Sequence, residues 1–325
     1  MSDGAAGMSE AVVEIRHVSK SFERRRPVLR DVSFSLRRGE MVALIGASGS
    51  GKSTLVRAIA GLVPIDKSAT GDDLGAATGE IVLFGEPMQR RGRITRAAKR
   101  LRVRIGVVFQ QFNLVPRLSV LTNVCLGLLG QMSFFHGTIG RFTAVDKRRA
   151  MQALVRVGIA DHALKRGAEL SGGQQQRAAI ARTLVQRAEL LIADEPIASL
   201  DPGAARRVMD ILADLNRSDR ITVLVSLHQV EYALRYCPRT IALRSGEVVY
   251  DGPSSELTPA LLTSIYGADN EELFLSSPEP AGVIHAQTTL AKMPGAHSGL
   301  ADLAHGIVPA AEHARASNEA ERLGA

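Results

Sequence analysis

Gly46-Ala47-Ser48-Gly49-Ser50-Gly51-Lys52-Ser53 fits the spacing G-x-x-x-x-G-K-S/T, and no other feature constrains the chain as strongly. An apolar run, residues 41–45, leads into it, and residues 54–60 read as a helix stopped by Gly61. Strand, loop, helix is the setting in which successive amide groups and a helix N-terminus face one anion. The glycines let the backbone curl around the β- and γ-phosphates of a nucleotide. Lys52 adds a point charge, Ser53 offers a hydroxyl to a magnesium ion, and Thr54 opens the helix behind them.

The same alternation recurs downstream. Residues 190–193 form a buried-strand pattern, and Val208, Ile211, Leu212 and Leu215 then recur at i, i+3, i+4 and i+7, the stripe of an amphipathic helix. Residues 221–226 read as a further strand. Alternating strands and helices predict an α/β class built on a mostly parallel sheet. Residues 14–34 and 80–84 read as antiparallel strands, and residues 121–157 as largely helical. A P-loop core with a parallel sheet, a small antiparallel β subdomain and an inserted helical subdomain is therefore expected. Residues 240–243 and 247–250 flank Arg244-Ser245-Gly246, a hairpin with glycine in its turn.

Composition narrows the partners. With 325 residues and ample apolar content the chain can fill a globular core. Its longest uncharged apolar stretch, 120–132, falls short of the roughly 20 residues that cross a bilayer. The first residues show no charged region followed by an apolar one, so no secretory signal is expected. Cys125 and Cys237, far apart and outside any CxxC spacing, read as packing residues of a reducing compartment. The net charge of +7 gathers in arginines at 24–26 and 90–104. No aromatic residues interleave with these runs as a single-strand binder requires, so they read as solvated faces.

Two further motifs bear chemistry. Leu190-Leu191-Ile192-Ala193-Asp194-Glu195 is an apolar strand that delivers two carboxylates at its end, where ligands gather in parallel sheets. Asp194 suits a magnesium shell, and Glu195 suits a general base acting on water. Ser171-Gly172-Gly173-Gln174 forms a second glycine loop at the start of a helical pattern running to Leu184. One P-loop already serves one nucleotide, so this loop points to the nucleotide of a partner subunit.

The order GASGSGKST, LSGGQ, LLIADEP and Ser226-Leu227-His228 resembles the ABC ATPase family over residues 12–267, with a helical subdomain at about 111–183. The resemblance implies that Phe22 stacks on adenine, that Gln110 is the Q-loop glutamine, a catalytic residue and a ligand of the metal, and that Ser171, Gly172, Gly173 and Gln174 cap the partner's ATP. Gln111 competes with Gln110 for its role. The resemblance also implies that Asp201 is the D-loop aspartate, His228 the γ-phosphate switch, and ATP with Mg2+ the bound pair.

Narrower stretches resemble the ATP-binding subunits of phosphonate importers: Gln110-Gln111-Phe112-Asn113-Leu114-Val115, Asp194-Glu195-Pro196-Ile197-Ala198-Ser199-Leu200-Asp201-Pro202, and the run from Leu227 to Cys237. Such a subunit implies a homodimer at the cytoplasmic face of the inner membrane, attached to permease subunits and through them to a periplasmic binding protein. The apolar residues at 114–129 are expected to divide between core and permease contact. An ABC ATPase for another substrate is the alternative. One that acts on nucleic acid is disfavoured, since neither a long coiled coil nor a second ATPase module is present. Residues 67–79 and the Ala-, Pro- and Gly-rich tail, 268–325, lie outside the resemblance. The tail is expected to be largely disordered.

Overall fold

The computed structural model describes residues 11–22, 26–67, 78–111, 113–132 and 141–267, with only the backbone at Arg26. These belong to one compact unit, Met1–Pro278, while Glu279–Ala325 form a second unit outside the described residues. The tail at 268–325, Phe112 and most of the 67–79 loop also fall outside them.

Strands β1 (Ala11–Phe22) and β2 (Arg26–Arg37) pair antiparallel, as their alternating apolar residues predict. They join β4 (Glu80–Leu83), β5 (Glu86–Arg90) and β6 (Arg93–Ile94) in a sheet of order β2-β1-β4-β5-β6. The second sheet is the core of the molecule. Strands β3 (Met41–Ile45), β8 (Leu190–Asp194) and β9 (Thr222–Ser226) are buried at every position, the continuous apolar run that both-face coverage demands. With β7 (Ile105–Val108) and β10 (Arg239–Arg244) they run parallel in the order β10-β3-β9-β8-β7. An antiparallel edge, β11 (Glu247–Pro253), completes the sheet.

Side chains of these strands alternate between two apolar layers. Ala43, Ile45, Leu191, Ala193, Val223 and Val225 enter one layer. Helices α3 (Val120–Cys125), α4 (Ala144–Arg156), α5 (Gly172–Val185), α6 (Pro202–Asp219), α7 (Val230–Tyr236) and α8 (Pro259–Tyr266) complete it. Val42, Leu44, Leu190, Ile192 and Leu224 enter the other, against α1 (Lys52–Ile59), α2 (Ala98–Val103) and the β1/β2 pair. Each valine, leucine or isoleucine buried there stabilises the fold by roughly 1.5–3 kcal/mol. The sheet that carries the P-loop is thus clamped from both sides.

Three expectations are refined. Helix α1 starts at Lys52 rather than Thr54, because the loop's last lysine and serine already occupy the first turn. The 244–246 hairpin turns on Ser245 and Gly246 alone, with φ of 51° and 86°, the pair of left-handed residues a two-residue type I′ turn needs. The arginines at 90–104 are not merely solvated. Arg90 pairs with Glu80 at 3.3 Å, and Arg104 grips Glu189 through two bonds of 2.6 and 3.0 Å while lying 3.7 Å over the Phe84 ring.

The apolar residues of 114–129 divide: Val120, Val124, Cys125 and Leu128 are core, whereas Val115 and Leu129 are exposed. Both cysteines are buried, and burial pushes the Cys125 thiol up to about 11 and the Cys237 thiol up to about 12, as befits packing residues. Among the described residues no helix is long and apolar enough to cross a membrane.

Candidate active site

Parallel strands end on the same edge, so whatever follows β3, β7, β8 and β9 meets there. After β3 comes the P-loop, after β7 Gln110, at the end of β8 Asp194 and Glu195, and just beyond β9 His228. Ser48, Gly49, Ser50, Gly51, Lys52, Ser53, Thr54, Gln110, Glu195 and His228 line one cavity of about 330 Å³, with Val28 at its wall. Of the two glutamines that the sequence leaves open, Gln110 is among the residues lining this cavity and Gln111 is not.

The loop accepts only glycine at its ends. A Cβ on Gly46, whose φ is 147°, would sit 2.2 Å from the Leu243 carbonyl oxygen, and one on Gly51, at φ 104°, 2.8 Å from that of Val28. No side chain caps the first turn of α1, so its amides stay open toward the cavity. Lys52 is nearly buried and donates to the carbonyls of Gly46 at 2.7 Å and Ala47 at 3.1 Å. Burial pulls its pKa below the usual lysine range, and the charges of Glu195 and Asp194 act against that pull. The buried Ser50 hydroxyl has no hydrogen-bond partner. A cradle of open amides, one cation and an orphan hydroxyl fits an anion that brings several acceptor oxygens.

The acidic wall is tied together by a residue without an assigned role in the motif reading. Ser226 Oγ donates to Asp194 Oδ1 at 2.8 Å and accepts from the Glu195 N–H at 2.8 Å. Ser53 Oγ donates to the same carboxylate oxygen at 3.1 Å. Glu195 holds a left-handed φ of 49°, a strain of about 1 kcal/mol for a residue with a Cβ, and its Oε1 lies 3.0 Å from His228 Nε2. Tyr266 of α8 places its hydroxyl 3.5 Å from the His228 carbonyl. A polar last residue on the apolar strand β9 was the only local sign of Ser226; Val28 and Tyr266 gave none, because they reach the site from distant elements.

Among the described residues no group of three or more His, Cys, Asp and Glu is set for a metal. The hydroxyl of Ser53 beside the carboxylate of Asp194 is a hard oxygen set. It suits a cation that takes its other ligands from water and phosphate.

Other motif residues stand apart from this cavity. Phe22 closes β1, half exposed, with Lys20 Nζ 5.1 Å from its ring centroid. Asp201 caps α6 by accepting from the Ala204 N–H at 2.9 Å, a bond that holds its carboxyl below the usual range. Ser171, Gly172, Gly173 and Gln174 begin α5 and do not line the P-loop cavity. From the same helix Arg182 donates to the Asn113 carbonyl at 2.8 Å, joining α5 to the loop after Gln110.

Comparison with known proteins agrees with this geometry. The ABC transporter family matches residues 29–198. A phosphonates import ATP-binding protein of Cupriavidus necator is 53% identical over 265 residues, 82% of this chain and 90% of that protein. Its counterpart from Paraburkholderia xenovorans is 55% identical over 261 residues, 80% of this chain and 84% of that protein. Among solved structures, the dimeric bacterial ABC transporter cassette MJ0796 is 31% identical with a TM-score of 0.63, covering 74% of this chain and 98% of the cassette. The same cassette solved in a post-hydrolysis state with ADP and Pi gives a TM-score of 0.61. The chain belongs to the ABC transporter family, alongside the phosphonates import ATP-binding proteins.

Proposed function

We propose that this chain binds ATP with Mg2+ in the P-loop cavity and hydrolyses it as one half of a dimer, energising the import of a phosphonate. The observation that carries the reading is the meeting of an uncapped helix start, Lys52, Ser53, Gln110, Asp194, Glu195 and His228 around one cavity.

The chemistry follows from the contacts. Lys52 exchanges its two loop carbonyls for phosphate oxygens, so its charge moves from a poor site to a strongly anionic one. Ser53 and Asp194 would hold Mg2+, which supplies neutralisation of charge on the β- and γ-phosphate oxygens. Ser226 keeps Asp194 and the Glu195 backbone fixed, so the Glu195 carboxylate accepts the proton of the attacking water as a general base. His228, in contact with Glu195, reaches the γ-phosphate, and Gln110, on the same cavity, senses it. Half-exposed Phe22 offers its ring to adenine, and Asp201 stands at the head of α6 as the D-loop residue.

Ser171, Gly172, Gly173 and Gln174 serve the ATP of the second copy, so binding closes the dimer and hydrolysis reopens it. Exposed Val115 and Leu129, both in the segment between Gln110 and Ser171, face permease subunits, which link the dimer to a periplasmic binding protein. The complex sits on the cytoplasmic face of the inner membrane. No nucleic acid is involved. The phosphonate itself rests on the names of the relatives, since the transported molecule meets other subunits.

The test is ATP-dependent uptake in membrane vesicles holding this chain with the permease and binding protein encoded beside it. Uptake of 2-aminoethylphosphonate, but not of phosphate or methionine, is expected, and Lys52→Ala should abolish it. Hydrolysis with no phosphonate uptake would remove the substrate and leave the ATPase.

A further inference from the structure

The turn ahead of the signature loop carries a histidine for which the motif pattern has no use. His162 closes the short helical turn Ala160–His162, and its Nε2 lies 2.9 Å from Nε2 of Gln174. Two nitrogens at that distance need one donor and one acceptor. The amide of Gln174 is already oriented, because its Oε1 accepts the Ser171 N–H at 2.9 Å. Its NH2 group is therefore the donor, and the ring nitrogen that faces it must be the bare one. The ring proton then sits on Nδ1, which is buried and has no hydrogen-bond partner.

This choice is costly on the far side of the ring and useful on the near side. A buried donor without a partner costs about 1–3 kcal/mol, a burden that leucine or methionine at this position would not carry. What the ring gains is control of Gln174. With one amide end on His162 and the other on Ser171, the Gln174 side chain has a single orientation, and the Gln174 N–H in turn meets Ser171 Oγ at 3.4 Å. The first residue of the signature loop is thereby held through the fourth, and the fourth through His162.

We propose that His162 is a positioning residue of the signature loop: its unprotonated Nε2 accepts from Gln174 and so fixes Ser171 for the partner subunit's nucleotide. The proposal rests on the reading of residues 171–174 as the element that closes on a second copy. It concerns a step after nucleotide binding, so ATP affinity of the P-loop in the monomer should not change.

The test uses the full chain with His162→Met, which keeps the bulk and removes the acceptor, and His162→Gln, which restores one. In His162→Met the kcat for ATP should fall about fivefold, the effect of one hydrogen bond. ATP-driven dimerisation, followed by size exclusion in a Glu195→Gln background, should weaken by a similar factor. Binding of a fluorescent ATP analogue to dilute monomer should stay within twofold, roughly the error of such a measurement against a lost bond. His162→Gln should recover most of the kcat.

Wild-type kcat in His162→Met overturns the proposal, as does a folded His162→Gln that stays as slow as His162→Met. If His162→Met fails to fold, His162→Gln decides alone: near wild-type kcat supports the acceptor role, and a fivefold loss overturns it. Failure of Glu195→Gln itself to dimerise with ATP would remove the dimer reading and this proposal with it, whereas dimerisation of Glu195→Gln that ignores position 162 removes only this one.

Discussion

Helix α1 starts from Gly51 with no side chain closing its first turn, and its amides point into the cavity that Lys52 and Ser53 share. Helix α5 starts from Ser171, whose hydroxyl accepts the Gln174 N–H while the Gln174 side chain accepts the Ser171 N–H, a complete capping box. Both ends carry the partial positive charge of a helix N-terminus. The first spends none of its donors on itself and is ready for an anion in a single chain. The second has spent two, and it holds its shape without a ligand. A site that must bind nucleotide in the monomer and one that must wait for a partner thus differ in who satisfies the first turn.

The widest gap should appear in catalysis. Glu195 lies on the cavity and touches His228, so Glu195→Gln should lower hydrolysis on the order of a thousandfold, the contribution of a positioned general base. ATP binding should survive, because the amides and Lys52 are untouched. Gln174→Ala, by contrast, should cost far less, since its backbone amide and the helix charge remain. Single-turnover hydrolysis beside equilibrium ATP binding checks both, and comparable losses would erase the distinction between the two helix starts.

A smaller difference should appear in stability. At Gly46 a methyl group would meet the Leu243 carbonyl carbon and oxygen as well as Ser50 Oγ, in a backbone conformation reserved for glycine. At Gly173 it would meet Ala204, its Cβ at 2.8 Å and its Cα at 3.9 Å, in helical backbone that alanine favours. Gly46→Ala is therefore expected to cost roughly 3 kcal/mol and Gly173→Ala about 1 kcal/mol. Urea unfolding of the two variants measures this directly. Equal costs would mean that the P-loop is less rigidly seated than its contacts indicate.

Much of this was written locally in the chain. The P-loop, the strand ending in Asp194-Glu195 and the stripe Val208, Ile211, Leu212, Leu215 are short-range patterns, and the structure buries Val208, Leu212 and Leu215 while Ile211 is half-buried at the edge of the same core. Long-range placement was not readable in the same way. Ser226 is one polar residue closing β9, and only the parallel register of β8 against β9, with Asp194 opposite Ser226, turns it into the clasp of the acidic wall. Tyr266 arrives from α8, and Arg104 leaves a run of arginines to bind Glu189 and cover Phe84. The pairing of Gln174 with His162 depends on a turn whose fold no periodicity announces.

The finest test of the comparison is the cap itself. Ser171→Ala removes the hydroxyl that meets the Gln174 N–H, yet that bond is long at 3.4 Å, and Gln174 Oε1 still holds the Ser171 N–H. Loss of stability should therefore sit at the low end for an N-cap, about 0.5 kcal/mol. This corresponds to a fall of about 2 °C or less in the thermal midpoint of a domain this size. The hydroxyl matters more if it is also destined for the partner's nucleotide. Ser171→Ala should then reduce ATP-driven dimerisation in the Glu195→Gln background beyond what so small a loss of helix stability explains. A Ser171→Ala protein that melts several degrees lower but dimerises normally would make the serine a cap and nothing else, and the two glycine-led helices would differ only in having one.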